Sequence, residues 1–187
     1  MSRVVYSLST SLDGYIVDGA DRFDWSVPDE EVFALAMDEV RGLSVHLLGR
    51  RLYETMVYWE TADRDPELDF AEAGFGRLWR ALPKLVFSTT LAEVVGTTEL
   101  ATETLAEAVA RLRTEHPDGE IGIGGAGLAA AAADLDLIDE YRIRLYPVLV
   151  GGGTPFFAHH GRHSPLELLD SRIFASQVVY LRYGVRR

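Results

Sequence analysis

Two junctions along the chain limit its fold more than any other feature. At each, a short β-rich apolar run ends in glycine and passes at once into a helical pattern. Residues 44–48 run into Gly49-Arg50-Arg51 ahead of a helical stretch over 52–59, and residues 120–123 run into Gly124-Gly125-Ala126-Gly127 ahead of a small-residue helix over 128–133. Parallel strands need a long crossover, which a helix supplies, so strands that alternate with helices predict an α/β fold with a mostly parallel central sheet covered on both faces. Ligands of such sheets bind at the carboxyl ends of the strands, where both glycine turns fall.

The remaining segments fit that plan as a single domain over residues 1–187. Residues 4–8 read as a strand, followed by Ser11-Leu12-Asp13-Gly14-Tyr15-Ile16, whose Asp-Gly pair signals a turn. Pro28 and the acids behind it suit a helix start, and Val32, Phe33, Leu35, Ala36 and Val40 recur at helical spacing, which predicts a helix over 29–41 with Gly42 as its stop. Residues 61–73 are acidic and poorly periodic, so an exposed connection is expected there, with Phe70 as its anchor. A strand over 84–88, a helix over 102–116 and a strand over 141–150 interrupted by Pro147 follow, the last leading into Gly151-Gly152-Gly153. Alternation from 174 to 183 predicts the last one or two strands, antiparallel at the sheet edge.

Charge and composition exclude several functions. With 29 acidic against 18 basic side chains the net charge is −11, which repels a nucleic-acid backbone. The absence of cysteine removes disulfides, thiolate nucleophiles and zinc–sulfur sites. Residues 1–11 alternate instead of forming a signal peptide, and no run approaches the ~20 apolar residues that span a bilayer, so a cytoplasmic protein with no membrane partner is expected. His159-His160-x-x-His163 has no carboxylate at ligand spacing, and Gly161 and Pro165 make the segment a loop, so no metal is expected.

The chemistry that remains is anion binding. Glycines at 124, 125 and 127 let a phosphate approach backbone N–H groups at a helix start, and Arg50 and Arg51 add two guanidinium groups able to hold it in bidentate geometry. The same glycines also suit a tight turn, and the same arginines a solvated pair. Placed after strands of one sheet, the two junctions could take a dinucleotide.

Read in order, Ser11-Leu12-Asp13-Gly14-Tyr15-Ile16, Leu48-Gly49-Arg50-Arg51-Leu52-Tyr53-Glu54, residues 124–128 and Pro147-Val148-Leu149-Val150-Gly151-Gly152-Gly153-Thr154-Pro155-Phe156-Phe157 resemble the dihydrofolate reductase superfamily. The first and last of these resemble specifically the reductase domain of the bifunctional riboflavin-biosynthesis deaminase/reductase; the deaminase half and its zinc motif have no counterpart here. The resemblance implies NADPH laid across the strand ends. Gly49, Arg50, Arg51 and Tyr53 match the phosphate segment, Ser88 and Thr89 lie near the adenosine phosphate, and Gly124, Gly125, Ala126, Gly127 and Leu128 match the diphosphate loop. Asp13 falls in the loop that flanks the nicotinamide. Trp25-x-x-Pro28-x-Glu30 is similar to the start of the helix that carries the catalytic carboxylate, which makes Glu30 the first choice for assisting proton transfer, with Glu31 and Asp13 as alternatives.

On the substrate side the resemblance and the chain order imply Trp25, Arg144, Gly152 and Thr154, Arg144 being the candidate contact for an anionic substrate. The implied activity is NADPH-dependent hydride transfer to a C=O or C=N group of a small heterocycle, with 5-amino-6-(5-phosphoribosylamino)uracil as the named candidate. The alternatives are a dihydrofolate or pterin-like reductase and a non-catalytic NADPH-binding protein. A homodimer is also expected, because such domains pair and because Phe174, Val178, Val179 and Tyr180 offer apolar edge surface.

Overall fold

Arg3–Ser11 forms the strand around which the sheet is laid (β1), its even positions facing one side of the sheet and its odd positions the other. The computed structural model describes residues 2–62, 68–157 and 163–187. After β1 come Tyr15–Val17 (β2), the helix Glu30–Gly42 (α1), Leu43–Gly49 (β3), Arg50–Met56 (α2), Phe70–Ala81 (α3), Lys84–Phe87 (β4), Thr98–Leu100 (β5), Leu105–Glu115 (α4) and Glu120–Gly124 (β6). Ala126–Asp134 (α5), Glu140–Tyr146 (β7), Thr154–Pro155 (β8), Leu166–Ile173 (β9) and Val179–Val185 (β10) complete the order. The main sheet runs β5-β4-β3-β6-β1-β7-β10-β9. Its members from β5 to β7 are parallel, whereas β10 is antiparallel to both β7 and β9.

Val4 and Tyr6 of β1 share a core with Leu105, Val109 and Leu112 of α4 and Ala129 and Ala132 of α5. On the opposite face Leu48 and Val86 pack with Tyr53, Phe75 and Trp79, joined by Phe33, Met37 and Val40 of α1. The expected α/β sheet covered on both faces is thus present. A separate two-stranded sheet pairs β2 with β8 and ties the turn after β1 to the glycine run after β7.

Two expectations need correction. Phe70 anchors nothing: it is 88% exposed and opens α3, a helix the acidic composition of the segment concealed. Asp69 caps that helix in a capping box with Glu72, and the inward anchors are Phe75 and Trp79. The apolar tail residues Val178 and Tyr180 are buried, Val178 in a cluster with Val32 and Tyr146, and Tyr180 on β10, which lies between β7 and β9. The edge strand on this side of the sheet is β9, where Leu168 is 54% and Ile173 76% exposed. No described helix is long and apolar enough to cross a membrane, and no group of three potential metal ligands occurs among the described residues. His159 and His160 lie outside the described residues.

Candidate active site

The two glycine junctions meet. β3 and β6 are neighbours with Leu48 opposite Gly124, so their carboxyl ends open side by side. A Cβ placed on Gly49 would lie 3.5 Å from Leu128 Cβ and 3.6 Å from the Gly124 carbonyl, and one on Gly125 would lie 3.7 Å from the Gly49 nitrogen.

The glycines have separate tasks. On Gly124 a Cβ would come within 2.4 Å of Leu52 Cδ2, so this residue lets helix and sheet pack closely. Gly125 takes φ +93° as the N-cap of α5, a conformation L side chains avoid, and supplies no side-chain cap. Gly127, in the first turn of α5, would meet nothing within 4 Å. The helix start therefore keeps N–H groups without a side-chain cap beside open space, which favours an anion.

Beside this junction a cavity of about 590 Å³ opens at the carboxyl ends of β3, β4 and β5, lined by Arg50, Ser88, Thr89 and Thr90 together with Phe87, Ala101 and Glu103. Arg50 donates through Nη1 to Thr90 Oγ1 at 2.9 Å and through Nε to Glu54 at 2.8 Å. The Ser88 hydroxyl accepts from the Thr90 and Leu91 N–H groups, each at 3.1 Å, and so shapes the turn after β4. Arg51 is exposed next to Arg50. Tyr53 is buried, and its hydroxyl accepts from the Val95 N–H at 3.0 Å, which braces the segment behind the cavity.

At the carboxyl end of β1, on the same edge of the sheet as both glycine junctions, Asp13 closes two loops on one another. Its carboxylate accepts from the Val150 N–H at 3.2 Å and the Gly151 N–H at 2.7 Å. The Ser11 hydrogen bond, followed by these backbone donors, holds the Asp13 carboxyl below its ordinary value. Gly153 sits at φ +131° with its would-be Cβ 2.0 Å from the Val17 carbonyl, so only glycine fits there. Gly152 is open, and Thr154 pairs with Val17 across the small sheet. Trp25 packs edge-on to Tyr146 with ring centroids 6.1 Å apart.

Glu30 and Glu31 are both exposed in the first turn of α1, and Asp29 caps that helix by accepting from the Val32 N–H at 2.8 Å. The α1 carboxylate that faces the sheet is Glu39, two turns further along. It accepts from Ser7 and from Tyr180, each at 2.8 Å, and pairs with Arg144. Arg144 also donates to Ser7 at 3.0 Å and is nearly buried. Next to this group, buried Glu140 accepts from Arg142 at 2.6 Å and from Arg182 at 2.8 Å. The sequence reading missed Glu39 and Glu103. Position 39 does fall on the inward stripe of α1 with Val32 and Leu35, which was the available signal.

The sequence pattern described as the RibD C-terminal domain matches residues 2–180. The chain belongs to that family of reductase domains. It is 28% identical over 182 residues to "Uncharacterized protein YyaP" of Bacillus subtilis (strain 168), covering 97% of this chain and 94% of that one. Among solved structures it resembles a "putative riboflavin biosynthesis protein" from Shewanella sp. PV-4, with TM-score 0.76, 24% identity and all of both chains covered. Dihydrofolate reductase from Enterococcus faecalis, solved with NADP(H), superposes with TM-score 0.62 at 12% identity over 99% of this chain and 97% of that one. These structural likenesses establish a dihydrofolate reductase-like fold.

Proposed function

We propose that the chain is an NADPH-dependent oxidoreductase that reduces a C=O or C=N group of a small heterocycle. The observation that carries the proposal is the contact between Gly49 and the loop of Gly124, Gly125, Ala126, Gly127 and Leu128, with the Arg50 cavity immediately beside it. The residues fit the cofactor: the start of α5 suits the diphosphate, and Arg50 with Ser88 and Thr89 suits the adenosine phosphate. When bound, NADPH supplies the hydride. The protein's part is to hold the nucleotide across the strand ends, position the substrate beside Trp25 and Gly152, and assist a proton to the reduced atom through Glu30. Asp13 is a weaker candidate for that proton, since its hydrogen bonds favour the charged form.

The family supports 5-amino-6-(5-phosphoribosylamino)uracil as substrate. A second reading, reduction of an unphosphorylated pterin-like heterocycle such as dihydrofolate, is favoured by Arg144, whose charge is taken up by Glu39 and Ser7. The proposal also makes the enzyme a cytoplasmic homodimer, with the exposed Leu168 and Ile173 of β9 as the support for pairing. Fluorescence titration with NADPH, then turnover of each substrate followed by loss of NADPH absorbance, tests the assignment. NADPH binding with turnover of either substrate supports a reductase; NADPH binding alone leaves the non-catalytic alternative; no binding rejects the cofactor.

A further inference from the structure

Glu103 follows β5 and lines the same cavity as Arg50. It accepts from Arg111 Nη2 at 2.6 Å and from Nε at 3.1 Å, while Arg111 also donates to Glu115 at 2.8 Å. Arg50 in turn shares its charge with Glu54. Within these ion pairs the guanidinium groups of Arg50 and Arg111 face the carboxylates of Glu54, Glu103 and Glu115, so the Arg50 charge in the cavity wall is already matched and Glu103 sets a carboxylate in the same lining. A phosphate dianion entering the cavity meets Arg50 on one side and a carboxylate on another. A ribose hydroxyl in the same place can donate to that carboxylate, the means by which an acid at the end of a strand selects an unphosphorylated ribose.

We infer that Glu103 is a specificity determinant of this cavity, opposing a 2′-phosphate and accepting from a 2′-hydroxyl, so that Arg50 alone does not give a wide margin for NADPH over NADH. The inference rests on the nucleotide reading above and assigns a direction to one residue within it. Like charges at a partly solvated surface repel, more strongly for a dianion and less with the Arg111 pair present, so removing the Glu103 charge should shift the ratio of affinities by about fivefold or more.

The test is calorimetric titration of the wild-type protein, Glu103→Gln and Glu115→Gln with NADP⁺, NAD⁺ and 2′,5′-ADP at one ionic strength. Glu115→Gln removes the same charge from the same arginine but lies outside the cavity lining. The expected result is that Glu103→Gln tightens NADP⁺ and 2′,5′-ADP about fivefold or more and leaves NAD⁺ equal or weaker, with a smaller change in Glu115→Gln. An unchanged affinity ratio in Glu103→Gln, or an equal effect of the two variants, overturns the inference while nucleotide binding stands. If the wild type binds none of the three probes, the nucleotide reading falls and this inference with it.

Discussion

Gly127→Ala separates the two meanings a glycine can have at the start of α5. If the glycines there serve only a tight turn and close packing, this position is the exception: its would-be Cβ meets nothing within 4 Å and its backbone is helical. Alanine in a helix is worth about 0.5–1 kcal/mol over glycine. At about 2–4 °C per kcal/mol for a chain of this size, the melting temperature should rise by about 1–4 °C. If the space instead admits a phosphate to the α5 N–H groups, the methyl group holds it off, and the loss of one charge-assisted hydrogen bond costs about 1.5–3 kcal/mol. NADPH affinity should then fall roughly tenfold to 150-fold in a protein that is at least as stable as before. Gly124→Ala is the contrast, since its Cβ would lie 2.4 Å from Leu52 Cδ2, and overpacking of that kind costs about 1–3 kcal/mol. Scanning fluorimetry and NADPH titration on the three proteins suffice. A lower melting temperature for Gly127→Ala, or unchanged NADPH affinity, would refute the reasoning.

Three other outcomes are expected. Glu140→Ala leaves buried Arg142 with Glu120 alone at close range and strips Arg182 of its partner, so urea unfolding should show a loss of about 3 kcal/mol with an unchanged m-value. Burial pushes the Glu140 carboxyl up, but the bonds from Arg182 and Arg142 outweigh it and hold the group below its ordinary value. Its contribution is therefore present above the unfolded carboxylate pKa of about 4.3 and lost as pH falls through the folded value, so the gap between wild type and variant should close in acid. Equilibrium sedimentation should give a dimer of the 20.7 kDa chain, and Ile173→Lys should give the monomer; a wild-type monomer at micromolar concentration removes the dimer. Glu30→Gln should keep NADPH binding and lower turnover about 10²-fold, and a wild-type rate across the acid and neutral range takes Glu30 out of the chemistry.

Elements whose signals are local were legible. α1 was expected over 29–41 and runs Glu30–Gly42, because a capping acid, an apolar stripe and a terminal glycine all lie within its own span. α3 was missed although Asp69 and Glu72 form a capping box, because Gly74 and Gly76 lower its helical propensity and the segment before it is acidic. Gly76 is there for contact: a Cβ on it would lie 3.7 Å from Ala62 and 3.8 Å from Trp59, so the glycine permits close approach at the expense of the local pattern. β9 was missed for a related reason. Its register against β10 shifts where Leu168 and Leu169 stand together, which breaks the period of two that marks a strand.

The adjacency of the two glycine junctions was legible because glycine writes a backbone requirement directly into the sequence. The polar cluster between α1 and β7 depends on pairings that the sequence hides. Arg144 and Glu39 are 105 positions apart, and Tyr180 reaches Glu39 across 141. Yet the physics narrows the choice. An arginine on a strand in the interior of a sheet loses its hydration and must find a carboxylate, and the helix packed over that strand offers one acid on its inward stripe, Glu39. Arg144, expected as the contact for an anionic substrate, has its charge matched by Glu39 inside the fold. The case of Arg50 is different. That side chain stays half exposed, its partners Glu54 and Thr90 sit at the surface, and an incoming phosphate can compete for it without uncovering a buried charge. Of the two arginines, Arg50 is therefore the one whose charge remains available to a ligand.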